Sequence, residues 1–214
     1  MQRIASIARS LAVVGLLAGA GSASAAVVTI TGDPFAGSTA LTTPGRQVVG
    51  GEPFVTFNPA VDRFAIDLGS FAPYGFGPTL SVVNNVAGSL PTGGVNIVVL
   101  RSFDDDANPA TPFGAGNAAN LIATAITTPG PGFFIYFNQG LDLPRLVFST
   151  DLNDNTADLK IVARLTNLTG AAGQAAFPSF TAANFTTVTA VLAEPGVALL
   201  ATLAAFAFGV RRRG

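Results

Sequence analysis

Short apolar runs of four to seven residues recur along most of the chain, broken by clusters of glycine, proline and asparagine. The runs fall at Val27–Thr31, Phe54–Phe57, Phe64–Leu68, Leu80–Val83, Val95–Leu100, Leu121–Ile126, Phe133–Phe137, Arg145–Thr150, Leu159–Leu165 and Thr186–Leu192. Several alternate with period two, as a half-buried strand does. Phe64, Ile66 and Leu68 oppose Arg63, Ala65 and Asp67; Leu159, Ile161, Ala163 and Leu165 oppose Lys160, Val162 and Arg164. Pro44-Gly45, Gly50-Gly51, Pro91-Thr92-Gly93-Gly94 and Pro129-Gly130-Pro131-Gly132 supply turn chemistry between them. Helical spacing is nearly absent, with one or two turns at most over Asn117–Ala125. The pattern predicts an all-β domain, an antiparallel β-sandwich or jelly roll.

The two ends follow a different rule. Arg3 and Arg9 precede the apolar run Leu11–Leu17, and small residues lead to Ala23-Ser24-Ala25. This is the pattern of a secretory signal helix cut between Ala25 and Ala26, and it implies handling by the secretion translocon and signal peptidase. At the other end Gly196–Val210 is uncharged and Arg211, Arg212 and Arg213 follow it. Fifteen helical residues span about 22 Å, short of a hydrocarbon core of about 30 Å, but arginine snorkelling and local thinning absorb the difference. A C-terminal transmembrane helix is therefore expected, its arginine cluster cytoplasmic and the rest of the chain outside. The chain divides into a signal peptide (1–25), a secreted domain (26–191) and a C-terminal signal (192–214).

Ala193-Glu194-Pro195, the short apolar segment and the terminal arginines stand in that order at the end of the chain. This tail resembles the PEP-CTERM sorting signal of exported Gram-negative bacterial proteins, with Ala193 in place of the first proline. The resemblance implies transient anchoring in the inner membrane and cleavage near Glu194 by an exosortase. It further implies delivery to the cell surface or extracellular matrix, in association with extracellular polysaccharide.

Composition narrows the chemistry. The chain is 49% hydrophobic and 11% charged and has no His, Cys or Trp. Ser-His-Asp and Cys-His machinery, ordinary zinc sites, thiol redox chemistry and disulfides are excluded. The net charge of −1 becomes −5 for residues 26–193, where eleven acidic residues face six basic ones. That balance argues against nucleic acid as a partner. Fifteen of the seventeen phenylalanines lie in this region and are expected between two sheets. Tyr74 is the candidate for an exposed stacking residue, with a structural plug as its other reading.

Two acidic loops are candidate Ca²⁺ sites, since Ca²⁺ takes oxygen ligands. One is Asp104, Asp105 and Asp106; the other uses Asp151, Asp154 and Asp158, in a loop that lacks the glycine and glutamate of an EF-hand. The alternative for both is turn capping by Asp and Asn. No other cofactor is indicated. Arg145 and Arg164 are expected to pair with Asp142, Asp151 or Asp158 at the sheet ends. Glu52, beside Pro53, is placed in a turn. No nucleophile elbow, phosphate loop or dinucleotide fingerprint appears. The reading is an exported structural or adhesive protein, not an enzyme. Its alternatives are an extracellular carbohydrate-active hydrolase using aspartates, or a Ca²⁺-stabilised binding module.

Overall fold

The computed structural model describes residues 24–108 and 110–189. Around strand β7 (Gly132–Asn138) every residue is buried, which requires both faces of its sheet to be covered. β7 lies inside a mixed sheet ordered β2-β9-β8-β7-β6-β5. Its other members are β2 (Val48–Val49), β5 (Val82–Asn85), β6 (Ile97–Leu100), β8 (Leu143–Ser149) and β9 (Leu159–Leu165). β3 (Phe54–Val55) also pairs with β9. A second, three-stranded sheet places β4 (Arg63–Asp67) between β1 (Val27–Ile30) and β10 (Phe185–Val188).

Side chains leave β7 alternately toward two cores. Phe133, Ile135 and Phe137 join Ile97, Val99, Leu146 and Phe148 against Ile30, Phe64, Ile66 and Phe185 of the small sheet. Phe134 and Tyr136 join Val98, Leu100 and Val147 under helix α2 (Ala115–Ala125). The architecture is therefore three layers: helix, large sheet, small sheet. Phenylalanines fill the inter-sheet layer, with Phe57 stacked on Phe64 at 4.3 Å and Phe71 edge-on to Phe133 and Phe148 at 4.9 Å.

This corrects the all-β antiparallel sandwich. Among the described residues β1–β4, β4–β10, β5–β6, β6–β7, β2–β9 and β3–β9 are parallel, and only β7–β8 and β8–β9 are antiparallel. Parallel neighbours need long crossovers rather than hairpins, and β6-α2-β7 is such a βαβ unit. The expected strand at Leu121–Ile126 is instead the end of α2 and its cap. The one or two turns expected over Asn117–Ala125 extend to a helix of eleven residues, whose buried stripe is Ala115, Ala118, Ala119 and Ile122. Three of those side chains are single methyl groups, which let the helix lie close on the sheet. Helices α1 (Leu68–Phe71) and α3 (Gly170–Ala175) are short connectors.

Among the described residues no helix is long and apolar enough to cross a membrane. The expected signal helix and the transmembrane helix over Gly196–Val210 lie outside the described residues, as do Ala193, Glu194, Pro195 and Arg211, Arg212 and Arg213.

Gly132 opens β7 where neighbouring segments approach closely. A Cβ there would stand 2.5 Å from Leu152 Cδ1 and 2.6 Å from the Asn96 carbonyl oxygen. Because the second contact is backbone, G132A is expected to destabilise the fold by about 1–3 kcal/mol, read as a lower midpoint in urea.

Candidate functional site

Strand β9 is the place where the large sheet departs from regularity. Leu146 pairs with Ala163, but Val147 pairs with Ile161, so Val162 is an extra residue on β9. Such a bulge shifts the alternation of side chains. Leu159 and Ile161 consequently face the helix layer, while Ala163 and Leu165 face the small sheet. The single apolar face expected for these four residues is thus split in two.

The neighbouring edge breaks at the same level. β2 pairs with Leu159 and Lys160, β3 with Arg164 and Leu165, and Gly50–Pro53 loops out between them. Gly51 has φ +89°, a conformation that glycine adopts without steric cost. Lys160 Nζ donates to the Gly50 carbonyl at 2.6 Å, and Arg164 N–H donates to the Pro53 carbonyl at 3.0 Å. The loop drops Glu52 onto two arginines that are direct cross-strand partners, Arg145 and Arg164. Glu52 Oε1 accepts from Arg145 Nη2 and, at 2.5 Å, from Arg164 Nε. Its side chain is 1% exposed, against 13% and 28% for the arginines. Arg164 also lies 5.3 Å over the ring of Phe54, a cation–π contact. On the sheet, Arg145 meets the Tyr136 hydroxyl, which accepts from Asn138 Nδ2 at 2.9 Å. Burial works against the Glu52 charge, but the hydrogen bonds from Arg145 and then Arg164 outweigh it and hold the carboxyl at about 2.

Glu52 also borders a cleft of about 220 Å³ between the sheets, with Lys160 and Val162 on one side and Thr29–Pro34 on the other. Across it, Asp33 Oδ1 accepts from Tyr74 Oη at 2.5 Å and from Phe35 N–H at 3.0 Å. These two bonds lower the Asp33 pKa, the tyrosine contributing most. Burial first, then Asp33, raises Tyr74 to about 12. Tyr74 packs edge-on against Phe35 at 5.4 Å and Phe148 at 5.9 Å, so it plugs the inter-sheet core. The cleft is smaller than the roughly 300–1,000 Å³ of small-molecule sites. Both carboxylates are held ionised, whereas glycoside hydrolysis needs one raised carboxylic acid to protonate the leaving group. At its rim stand Asp33 and Lys160, the lysine held on the Gly50 carbonyl, while the Glu52 carboxylate beside them is closed off from solvent.

Of the candidate Ca²⁺ ligands, Asp104, Asp105 and Asp106 come together, each with a carboxylate oxygen within 4.8 Å of the others, and all are exposed. Their oxygens already serve the loop. Asp104 accepts from the Asp106 and Ala107 N–H groups, Asp105 from Asn117 Nδ2, and Asp106 from Asn108 N–H and Thr111 Oγ1. Asp151, Asp154 and Asp158 form no such group among the described residues. Asp151 accepts from the Gly130 and Asn153 N–H groups, and Asp154 from Thr156. Asp158, buried, ties Leu41 N–H and Gln47 N–H to β9 at 2.7 Å each. The partner of both arginines is Glu52, not Asp142, Asp151 or Asp158. Glu52 is 93 and 112 residues away from them in sequence, and the one local signal was a lone glutamate beside a Gly-Gly turn.

Comparison with known protein families, curated proteins and solved structures finds no match for this chain.

Because the folded value of Glu52 lies below its ordinary 4.5, the group stabilises the fold above pH 4.5 and loses that contribution as pH falls toward 2. E52Q is expected to cost about 3 kcal/mol at pH 7, since two arginines are left facing each other without a carboxylate. Urea midpoints measured from pH 7 down to 2.5 should fall less steeply for E52Q than for the wild type.

Proposed function

We propose that this chain is an exported protein of the cell surface or extracellular matrix. In this reading its role is structural or adhesive, it associates with extracellular polysaccharide, and it is not an enzyme. Its leader is removed before Ala26, and its C-terminal signal is recognised and cut near Glu194 by an exosortase. The observation that carries this reading is the position of the two cut sites relative to the body. β1 begins at Val27 and β10 ends at Val188, so both cuts fall outside the strands and neither severs a ladder. The body between them suits a passive role. Its interior is filled by packed phenylalanine rings, its cleft is small, and the carboxylates Asp33 and Glu52 are fixed by hydrogen bonds rather than held ready to exchange protons. The charge of −5 over residues 26–193 keeps such a body soluble and repels polyanions.

Mass spectrometry of the protein recovered outside the cells is expected to show Ala26 as the first residue and loss of everything beyond about Glu194. An intact C-terminus outside the cell would overturn the sorting reading.

A further inference from the structure

Asp62 closes the turn before β4 and is 7% exposed. Its Oδ2 accepts from Asn58 N–H at 2.8 Å, and its Oδ1 accepts from the backbone nitrogen of Ala26 at 2.7 Å. The turn is clamped from the far side by Asn184 Nδ2, which donates to the carbonyls of Pro59 and Asp62. Both donors to the carboxylate are neutral amides, and among the described residues no lysine or arginine lies within ion-pair distance of it. A buried carboxylate held only by neutral donors lacks the counter-charge that usually accompanies it. The nitrogen it holds is the one that the proposed leader cut would set free.

We infer that Asp62 is a built-in seat for the α-ammonium of processed Ala26, so that leader removal locks β1 onto β4. The inference rests on the cut before Ala26 proposed above. Signal peptidase adds water across the Ala25–Ala26 bond. Ala25 leaves as a carboxylate and the Ala26 nitrogen takes up protons to become an ammonium. The amide–carboxylate bond at 2.7 Å becomes an ammonium–carboxylate ion pair, with both partners ionised. Ala26 already returns its carbonyl to Arg63 N–H at 3.0 Å, and Val27 pairs with Arg63, so the new terminus is fixed on two sides. A cut one residue earlier would carry the charge out to exposed Ala25; one residue later it would remove the donor. The groups around the seat are uncharged Asn58 and Asn184 and, next in the chain, exposed Arg63. The unprocessed chain lacks this ion pair, which keeps β1 more loosely held until the leader is gone.

The exported protein itself provides the test. Its first residue is read by mass spectrometry, and the pKa of its α-amine is obtained from the pH dependence of acylation, with the single Lys160 as internal reference. The amine is expected to titrate at least one pH unit above the usual range of about 7.7–8.0, and D62N should bring it back. Acetylating the α-amine of the wild-type protein is expected to lower its thermal midpoint by about 2–4 °C. An Ala26 terminus with an ordinary pKa, or a midpoint indifferent to acetylation, overturns the seat while leaving the export reading intact. A terminus other than Ala26 overturns the cut position, and the seat with it.

Discussion

Two guanidinium groups facing each other across β8 and β9 cannot share a sheet edge without a carboxylate between them, and Glu52 is the residue that supplies it. Like charges in direct cross-strand register are destabilising, and these two are largely removed from water. The remedy shapes everything nearby. To bring Glu52 under the arginines, the edge strand has to stop after Val49 and resume at Phe54. The bulge at Val162 sits opposite that gap. The cleft beside it is the space left where loop and bulge fail to fill the seam between the sheets. One ion-paired triad thus accounts for the broken edge, the change of face along β9 and the cleft.

The remaining design is a phenylalanine-filled core with a single aspartate tying down each irregular crossing. Asp158 holds the segment entering β2, Asp62 the start of β1, and Asp67 the first turn of α1 through Gly69 N–H and Ser70 Oγ. Carboxylates that composition alone would offer to a metal or a catalytic pair are instead spent on backbone N–H groups. Among the described residues the buried carboxylates Glu52, Asp62, Asp67 and Asp158 each accept from a named donor.

The strand positions were readable because their residues are aromatic and β-branched; β4, β7, β8 and β9 fall within a residue or two of the apolar runs. Strand direction was not readable, because alternation is the same in parallel and antiparallel sheets. The unbroken apolar run Phe133–Phe137 was the available sign that a third layer covered the far face. α2 showed only as one or two turns over Asn117–Ala125, because Ala115, Ala118 and Ala119 register weakly as hydrophobic. β2, at two residues, leaves almost no pattern. The bulge reversed the reading of Ala163 and Leu165, since one inserted residue inverts every later side chain. The Glu52 triad joins residues about a hundred positions apart, a pairing that no local pattern encodes, and proximity in sequence favoured the wrong aspartates.

If the triad governs the edge, its loss should loosen β3 and leave the sheet centre unchanged. The direct measurement is residue-resolved amide hydrogen exchange in E52Q against the wild type. The Arg164 and Thr166 amides donate to Pro53 and Val55, while the Phe133 amide donates to Asn96 in the interior. Exchange at Arg164 and Thr166 is expected to quicken by about tenfold or more beyond any change at Phe133, as a locally opened edge requires. Equal changes at all three sites, or none, would contradict the account.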